Sequence, residues 1–496
     1  MPSSNGSQPA APTVAIVGAG FGGIGMGIAL RRAGIDAFTI VERADGIGGV
    51  WRHNSYPGLT CDVPSHLYSF SFEPKHDWSR RYPRREEILV YLEHCTDKYG
   101  LRDHLRLNTE VASCEFDEVS GRWWIQLADG DRLEADFLIT ATGQLSLPAY
   151  PDIPGLDRFK GAMFHSAHWN HDCDLTGKRV ASLGTGASAI QYVPEIARVV
   201  EKLYVLQRSP AWLVPKPDRP YRPRQKAIFR RFPWLQRLNR WSVYWRFEAL
   251  ILALTRAKWL AKPFMAGYER RLRKEIPDPD VRAKLLPDYP LGCKRILISN
   301  DFLPTLARPN VELVTDPIRE IGADRVITVD GAEREVDAII FGTGFRATDF
   351  LAPMDVTGLG GRDLNEAWRD GAEAYLGIAV SGFPNMFMLY GPNTNLGVGS
   401  IIFMLESQIA WVLEAMQQLE RSGARWMDVD PDAQRRFNAD VQERLDDTVW
   451  TAQCHNWYKT ESGRVVNNWP GFTFEYRRLT RHPNLADFTL AAPAEG

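Results

Sequence analysis

Three things are scarce in this 496-residue chain. Cysteine is the first. Its six residues stand at 61, 95, 114, 173, 293 and 454, and no pair has CxxC or another metal or redox spacing. No zinc ribbon, thioredoxin-like centre or disulfide framework is suggested, and reduced cysteines are expected. Long apolar runs are the second. No stretch reaches about 18 apolar residues, so no membrane-spanning helix is expected. The nearest approach, FEALILALTRAKWLAKPF from Phe247, is interrupted by Glu248, Arg256, Lys258 and Lys262. Net charge is the third. It is −2 overall and gives no nucleic-acid signal. The N-terminal MPSSNGSQPAAP lacks the charged and apolar regions of a signal peptide. Residues 1–11 are expected to be a disordered lead-in, and the location cytoplasmic.

What is present is glycine in two matching turns. The length predicts roughly three domains or subdomains. In TVAIVGAGFGGIGMGIALRRAG, Val14 to Val17 reads as a buried strand, and Gly18, Gly20 and Gly23 form GxGxxG before a helical pattern. A second apolar run, AFTIVE, ends in Glu42. Glycines there allow a tight turn and close approach to a pyrophosphate, and the acidic residue accepts from a ribose hydroxyl. The pattern returns in KRVASLGTGASAIQYVPEIA, with Gly184, Gly186 and Ala189, and its second run ends at Arg208. Glu42 and Arg208 occupy the same place in the two units. A carboxylate suits FAD or NAD, whereas a guanidinium forms charge-assisted bonds with the 2′-phosphate of NADP. Two such sites imply a flavoprotein using NADPH. FLITATG (Phe137 to Gly143) and AIIFGTGF (Ala338 to Phe345) read as strands ending in small turns.

With these features in order, the chain resembles the class B flavoprotein monooxygenases, and within them the FAD- and NADPH-dependent Baeyer–Villiger monooxygenases. Their linker fingerprint, FxGxxxHxxxW followed by Pro or Asp, is matched by Phe159, Gly161, His165 and Trp169, with Asn170 in the last place. A second motif reads GGVWRHNSYPGLTCD, with Gly48, Gly49, Trp51, Tyr56, Pro57, Gly58 and Asp62. A third, GCKRILISNDF, carries Lys294 and Arg295. The resemblance covers about residues 12 to 475. It implies insertion of one oxygen atom next to a carbonyl, ketone to ester or lactone, through a C4a-peroxyflavin. It makes Arg295 the active-site cation, since a guanidinium stays charged and donates two directed bonds. Asp62 is its orienting partner, and Lys294 joins Arg208 at the 2′-phosphate. Arg43, Gly49, Trp51, Asp62 and Val111 are assigned to the FAD side, and Ser188 and Ser209 to the NADP side. The linker is expected to act as a hinge between cofactors, with His168 and His171 ordinary loop residues.

The expected class is therefore α/β, with two Rossmann-like domains and a helical insertion in the second. The first FAD-binding part spans 12–150. The NADP-binding part spans 151–380, its insertion at about 220–290. The second FAD part spans 381–496, with a helix N-terminus near Gly397 to Ser400 facing the flavin. Residues 222–274 hold fifteen Lys and Arg, two acids and interleaved aromatics. The aromatics either pack on the body, as a subdomain or lid, or face a membrane surface. Nucleic acid is disfavoured because no binding fold accompanies the charge. N- or S-oxygenation by the same flavin chemistry and a non-catalytic FAD/NADPH sensor remain alternatives. A disulfide-reductase-like flavoprotein is disfavoured for want of CxxC or CxxxxC.

Overall fold

Two five-stranded parallel sheets organise the computed structural model, which describes residues 12–454 and 456–492. The segment 1–11, expected as a lead-in, lies outside them. The first sheet centres on Val14–Val17. Phe38–Val41 and then Leu105–Arg106 lie on one side, and Phe137–Thr140 and then Met386–Met388 on the other. The second centres on Arg179–Leu183. Lys202–Leu206 and Val311–Val314 flank it on one side, and Ala338–Phe341 and Ala162–His165 on the other. Val14–Val17, Phe137–Thr140 and Ala338–Phe341 are buried at every residue. This is why VAIV, FLIT and AIIF read as unbroken apolar runs rather than alternating ones. The molecule is thus α/β with two Rossmann-like units.

The linker segment changes character. Ala162–His165 is not a free hinge but the edge strand of the second sheet, parallel to Ala338–Phe341. Phe159 is buried among Ala181, Leu183 and Phe341. Gly161 is required because a Cβ there would lie 2.4 Å from the Asp337 carbonyl oxygen.

An antiparallel meander, Val111–Asp117, Arg122–Leu127 and Arg132–Ala135, accompanies the first unit. Asp355–Thr357 pairs with its first strand, so the chain rejoins the first unit there, ahead of the expected return at 381. Helix Phe21–Arg32 packs on helix Ile401–Ser422, and a Cβ at Gly25 would approach Ile409 Cδ1 to 2.8 Å. The insertion forms helices Pro223–Arg231, Pro233–Thr255, Lys262–Glu275 and Pro279–Lys284, as the sequence leads one to expect. No helix among the described residues is long and apolar enough to cross a membrane. Trp78, Trp123, Trp411, Trp450 and Trp469 are fully buried, so much of the tryptophan serves packing.

One expectation fails outright. Cys293 and Cys454 form a disulfide, with Cα atoms 6.5 Å apart, while Cys61, Cys95, Cys114 and Cys173 are free. The pair is separated by 161 positions. Reading local cysteine spacing could not bring it together.

Candidate active site

A cavity of about 1150 Å³ opens between the two units, beyond the upper end of ordinary single-ligand pockets. Both glycine turns and the expected cofactor-side residues other than Gly23 line it: Gly18, Gly20, Glu42, Arg43, Gly49, Trp51, Asp62 and Val111 from the first unit, and Gly184, Gly186, Ser188, Arg208, Ser209 and Lys294 from the second. Gly23 lies beneath the surface. Its Cβ would fall 1.8 Å from the Gly18 carbonyl oxygen, so it serves the turn itself. The linker residues Phe159, Gly161, His165 and Trp169 are not among the lining.

The two turns are built alike. Gly18 has φ +105° and a Cβ there would come within 2.6 Å of the Ala141 carbonyl oxygen. Gly184 has φ +104° and would come within 2.4 Å of the Gly342 carbonyl oxygen. In each unit the first turn is pressed against the end of the neighbouring crossover strand, so the TATG and GTGF segments form the floor of both cradles. Such a backbone-lined hollow at the strands' carboxyl ends is where pyrophosphate binds in this topology. Gly49 reinforces the first, lying over Gly20 with a Cβ distance of 3.1 Å to its Cα. Glu42 is buried and its carboxylate accepts from Ala19 N (2.8 Å) and Ala44 N (2.9 Å), which fixes it at the end of the strand. Trp51 donates to the Tyr68 hydroxyl at 3.0 Å. Arg43 is exposed at the rim and reaches the Ser146 carbonyl only at 3.4 Å.

The second cradle ends in cations. Lys294 Nζ donates to Ser209 Oγ at 2.6 Å and lies 4.7 Å from the Tyr289 ring centre. Burial lowers its pKa, and the neighbouring Arg208 lowers it further. Neither Arg208 nor Lys294 has a carboxylate ion-pair partner among the described residues. Two cations held together this way favour a multiply charged anion.

Between the cradles Arg295 Nη2 donates to Asp62 Oδ2. The Asp62 charge raises the Arg295 pKa above the usual guanidinium value despite burial, so this group stays charged at every working pH. Tyr390 and Tyr458 stand close enough to feel that charge. Burial pushes Tyr458 up to about 12 and raises Tyr390 as well, so both are neutral phenols. Tyr390 donates to Asn395 Oδ1 at 2.6 Å, and Asn395 Nδ2 to Asn468 Oδ1 at 2.6 Å.

Several contacts had no sequence signal. Gln191, on the helix Ala189–Ile196, grips the backbone of Thr60 in both directions at 3.1 Å. Thr60 is two residues from Asp62, so the second unit holds the loop that carries the carboxylate. Trp169 packs on Tyr192 (5.4 Å) and Tyr192 on Tyr56 (6.1 Å), which joins the linker to the YPG motif. Burial pushes Tyr56 up to about 12. His171 lies in an exposed turn, with its Nε2 2.8 Å from Ser55 Oγ. His165 is buried, with Nδ1 accepting from Ala167 N at 3.1 Å. Asn170 is exposed and accepts from Asp172 N at 3.0 Å, a turn that Asp would support equally.

A chain with two facing dinucleotide cradles and a fixed ion pair between them is a two-nucleotide oxidoreductase. The pyridine nucleotide-disulphide oxidoreductase family profile matches residues 15–233. A Baeyer–Villiger monooxygenase of Pseudomonas aeruginosa is 47% identical over 479 residues, covering 96% of this chain and 91% of the relative. One of Streptomyces coelicolor is 46% identical over 488 residues, covering 97% and 93%. Among solved structures, an oxidised steroid monooxygenase bound to NADP superimposes with a TM-score of 0.86 at 33% identity, covering 97% of this chain and 99% of that one. A cyclohexanone monooxygenase from Rhodococcus sp. Phi1 bound to NADP⁺ gives 0.88 at 28% identity, covering 98% and 100%. The chain belongs to the Baeyer–Villiger monooxygenases, flavin-dependent enzymes that insert an oxygen atom next to a carbonyl.

Proposed function

We propose that this enzyme converts ketones to esters or lactones with NADPH and O2, and that the reaction depends on Arg295 oriented by Asp62. The observation that carries the reading is the ion pair itself, formed across 233 positions at the wall common to both cradles. The first cradle suits FAD, because the hollow a Cβ on Gly18 would fill is lined by backbone and Glu42 stands at its ribose end. The second suits NADPH, because Arg208, Lys294 and Ser209 converge where a 2′-phosphate would lie. FAD, when bound, supplies the redox chemistry, taking hydride from NADPH and activating O2.

The chain's own residues supply position and charge. Arg295 offers two N–H bonds of fixed direction to the negative charge that develops on the substrate's carbonyl oxygen. A donor fixed in advance in a low-dielectric site typically contributes roughly 10²–10³ in rate. Asp62 holds that fork in place. An ammonium could not replace it, since a point charge lacks the planar geometry.

The similar structures named for cyclohexanone and steroids make cyclic ketones the first class to test. The purified holoenzyme is given NADPH, O2 and a panel of cyclohexanone, a ketosteroid and an aryl methyl sulfide. Lactone formation supports the reading. Sulfoxide as the sole product moves the enzyme to heteroatom oxygenation, and flavin bleaching with no oxygenated product makes it a sensor.

A further inference from the structure

The helical insertion has two faces, and only one is accounted for by packing. On helix Pro233–Thr255 the inner face buries Val243, Tyr244, Ile251 and Leu254. Tyr244 stacks on Phe403 at 5.0 Å, and Arg240 donates to the carbonyls of His66 (2.8 Å) and Ser69 (2.9 Å). This side is satisfied by the enzyme body.

The outer face carries large apolar side chains instead. Trp234, Leu238, Trp241 and Trp245 are 56%, 56%, 51% and 54% exposed. Their spacing of four, three and four residues places them on one stripe, about 16 Å long at 1.5 Å per residue. The stripe continues beyond the helix. Trp245 lies 6.1 Å from Phe474, which stacks on Phe472 at 5.1 Å, and Arg256 sits 5.6 Å from the Phe472 ring. The aromatics of the insertion therefore divide. On this helix Tyr244 and Phe247 pack inward, while its three tryptophans face out.

The charge around the stripe is predominantly basic. Of the two acids in 222–274, Glu248 is buried against Thr473 and Glu269 is paired with Arg273. Arg230, Arg231, Arg237 and Arg246 are exposed. Among the described residues, only Arg256, Arg271 and Arg273 of the insertion have carboxylate partners. The segment carries +13 within a chain of net −2, so the remainder carries −15.

We infer that this outer face docks on an anionic lipid bilayer. The helix lies in the plane of the interface, its tryptophans at the headgroup level and its arginines on lipid phosphates. The charge favours this occupant over a second copy of the chain, since pairing two such faces would oppose two basic surfaces. No catalytic residue lies in the stripe, so the inference stands apart from the oxygenation chemistry.

The test is co-sedimentation of the FAD-loaded enzyme with vesicles of phosphatidylcholine alone or with about one-third phosphatidylglycerol, at about 0.05 M and 0.5 M salt. The enzyme should pellet with the anionic vesicles at low salt, bind the neutral ones at least about tenfold less, and lose most binding at high salt. Trp241→Ser combined with Trp245→Ser should abolish pelleting and leave turnover of a water-soluble ketone unchanged. Tryptophan emission of the unaltered enzyme should be quenched by brominated lipid, a readout that needs no variant. Recovery in the supernatant with every vesicle, or no quenching, overturns the inference. A dimer that the double substitution dissociates also overturns it, in favour of a second copy.

Discussion

Arg295 and Asp62 form a hydrogen-bonded ion pair that joins the two dinucleotide units through the cavity wall. Asp62 sits on the loop that follows the GGVW motif, and Arg295 next to Lys294. Gln191 fixes the Asp62 loop from the second unit by two hydrogen bonds to Thr60. Any displacement of one unit against the other must therefore strain the pair or the clamp. Domain position and guanidinium orientation are linked through named bonds.

Coenzyme choice should depend on Arg208 and Lys294. Arg208→Ala and Lys294→Ala each remove a charge-assisted contact, so each should raise KM for NADPH roughly ten- to a hundredfold and leave KM for NADH nearly unchanged. Burial lowers the Lys294 pKa. KM for NADPH should therefore begin to rise with pH before the ordinary lysine range is reached. Lys294→Arg should flatten that rise. Steady-state kinetics with both coenzymes across pH checks both statements.

Stability should fall in mild acid. Burial lowers His66 and His165 to about 4 from 6.5, and Arg240 and His168 respectively add to the shift. Each takes up a proton on unfolding between those values, so stability drops as pH falls through that window, by on the order of 3 kcal/mol per histidine. Asp428 works the other way. Raised to about 6 from 3.8, it favours the folded state as pH falls. Two histidines against one carboxyl leave a net loss. Denaturant midpoints at about pH 7 and pH 4.5 should show it, and His66→Phe should remove part of it.

The disulfide can be counted. Unfolded without reductant, the chain should show four reactive thiols, rising to six after reduction. Cys454→Ser should lower stability by roughly 2–4 kcal/mol in denaturant titration, because it frees a long loop in the unfolded chain. Equal midpoints with and without reductant would contradict it.

The linker gives an opposed pair of substitutions. Gly161→Ala drives a Cβ into the Asp337 carbonyl, and Asp337 is itself held by Arg179 at 2.8 and 2.9 Å. A loss of about 1–3 kcal/mol is expected. Asn170→Asp keeps the exposed turn, so stability should stay within about 0.5 kcal/mol and turnover should hardly change. Thermal melts and turnover of the two variants separate these outcomes.

Legibility in the sequence followed range. The two glycine turns were readable because each is a local backbone requirement, and Gly18 and Gly184 meet it with nearly identical φ and a matching carbonyl contact. Arg295 and Asp62 were readable only through the family motifs that contain them, since a Lys-Arg pair has no periodic signal of its own. Gln191 with Thr60, Tyr390 with Asn395, and Cys293 with Cys454 are long-range or loop contacts that no spacing announces. The edge strand Ala162–His165 was hidden because four residues are too few for a period, and its pairing partner lies far along the chain. The outward tryptophans carry no such signal, because aromatics at helical spacing in sequence do not say which face is covered.

The central claim is that Arg295, held by Asp62, drives oxygen insertion and not flavin reduction. Anaerobic stopped-flow reduction of the Arg295→Ala enzyme by NADPH, followed by product analysis in air, tests it most directly. Reduction should stay close to that of the unaltered enzyme and ester formation should fall by roughly 10²–10³, with Asp62→Ala lying between the two. Ester formation at a near-normal rate in Arg295→Ala, or an equal loss in both half-reactions, would contradict it.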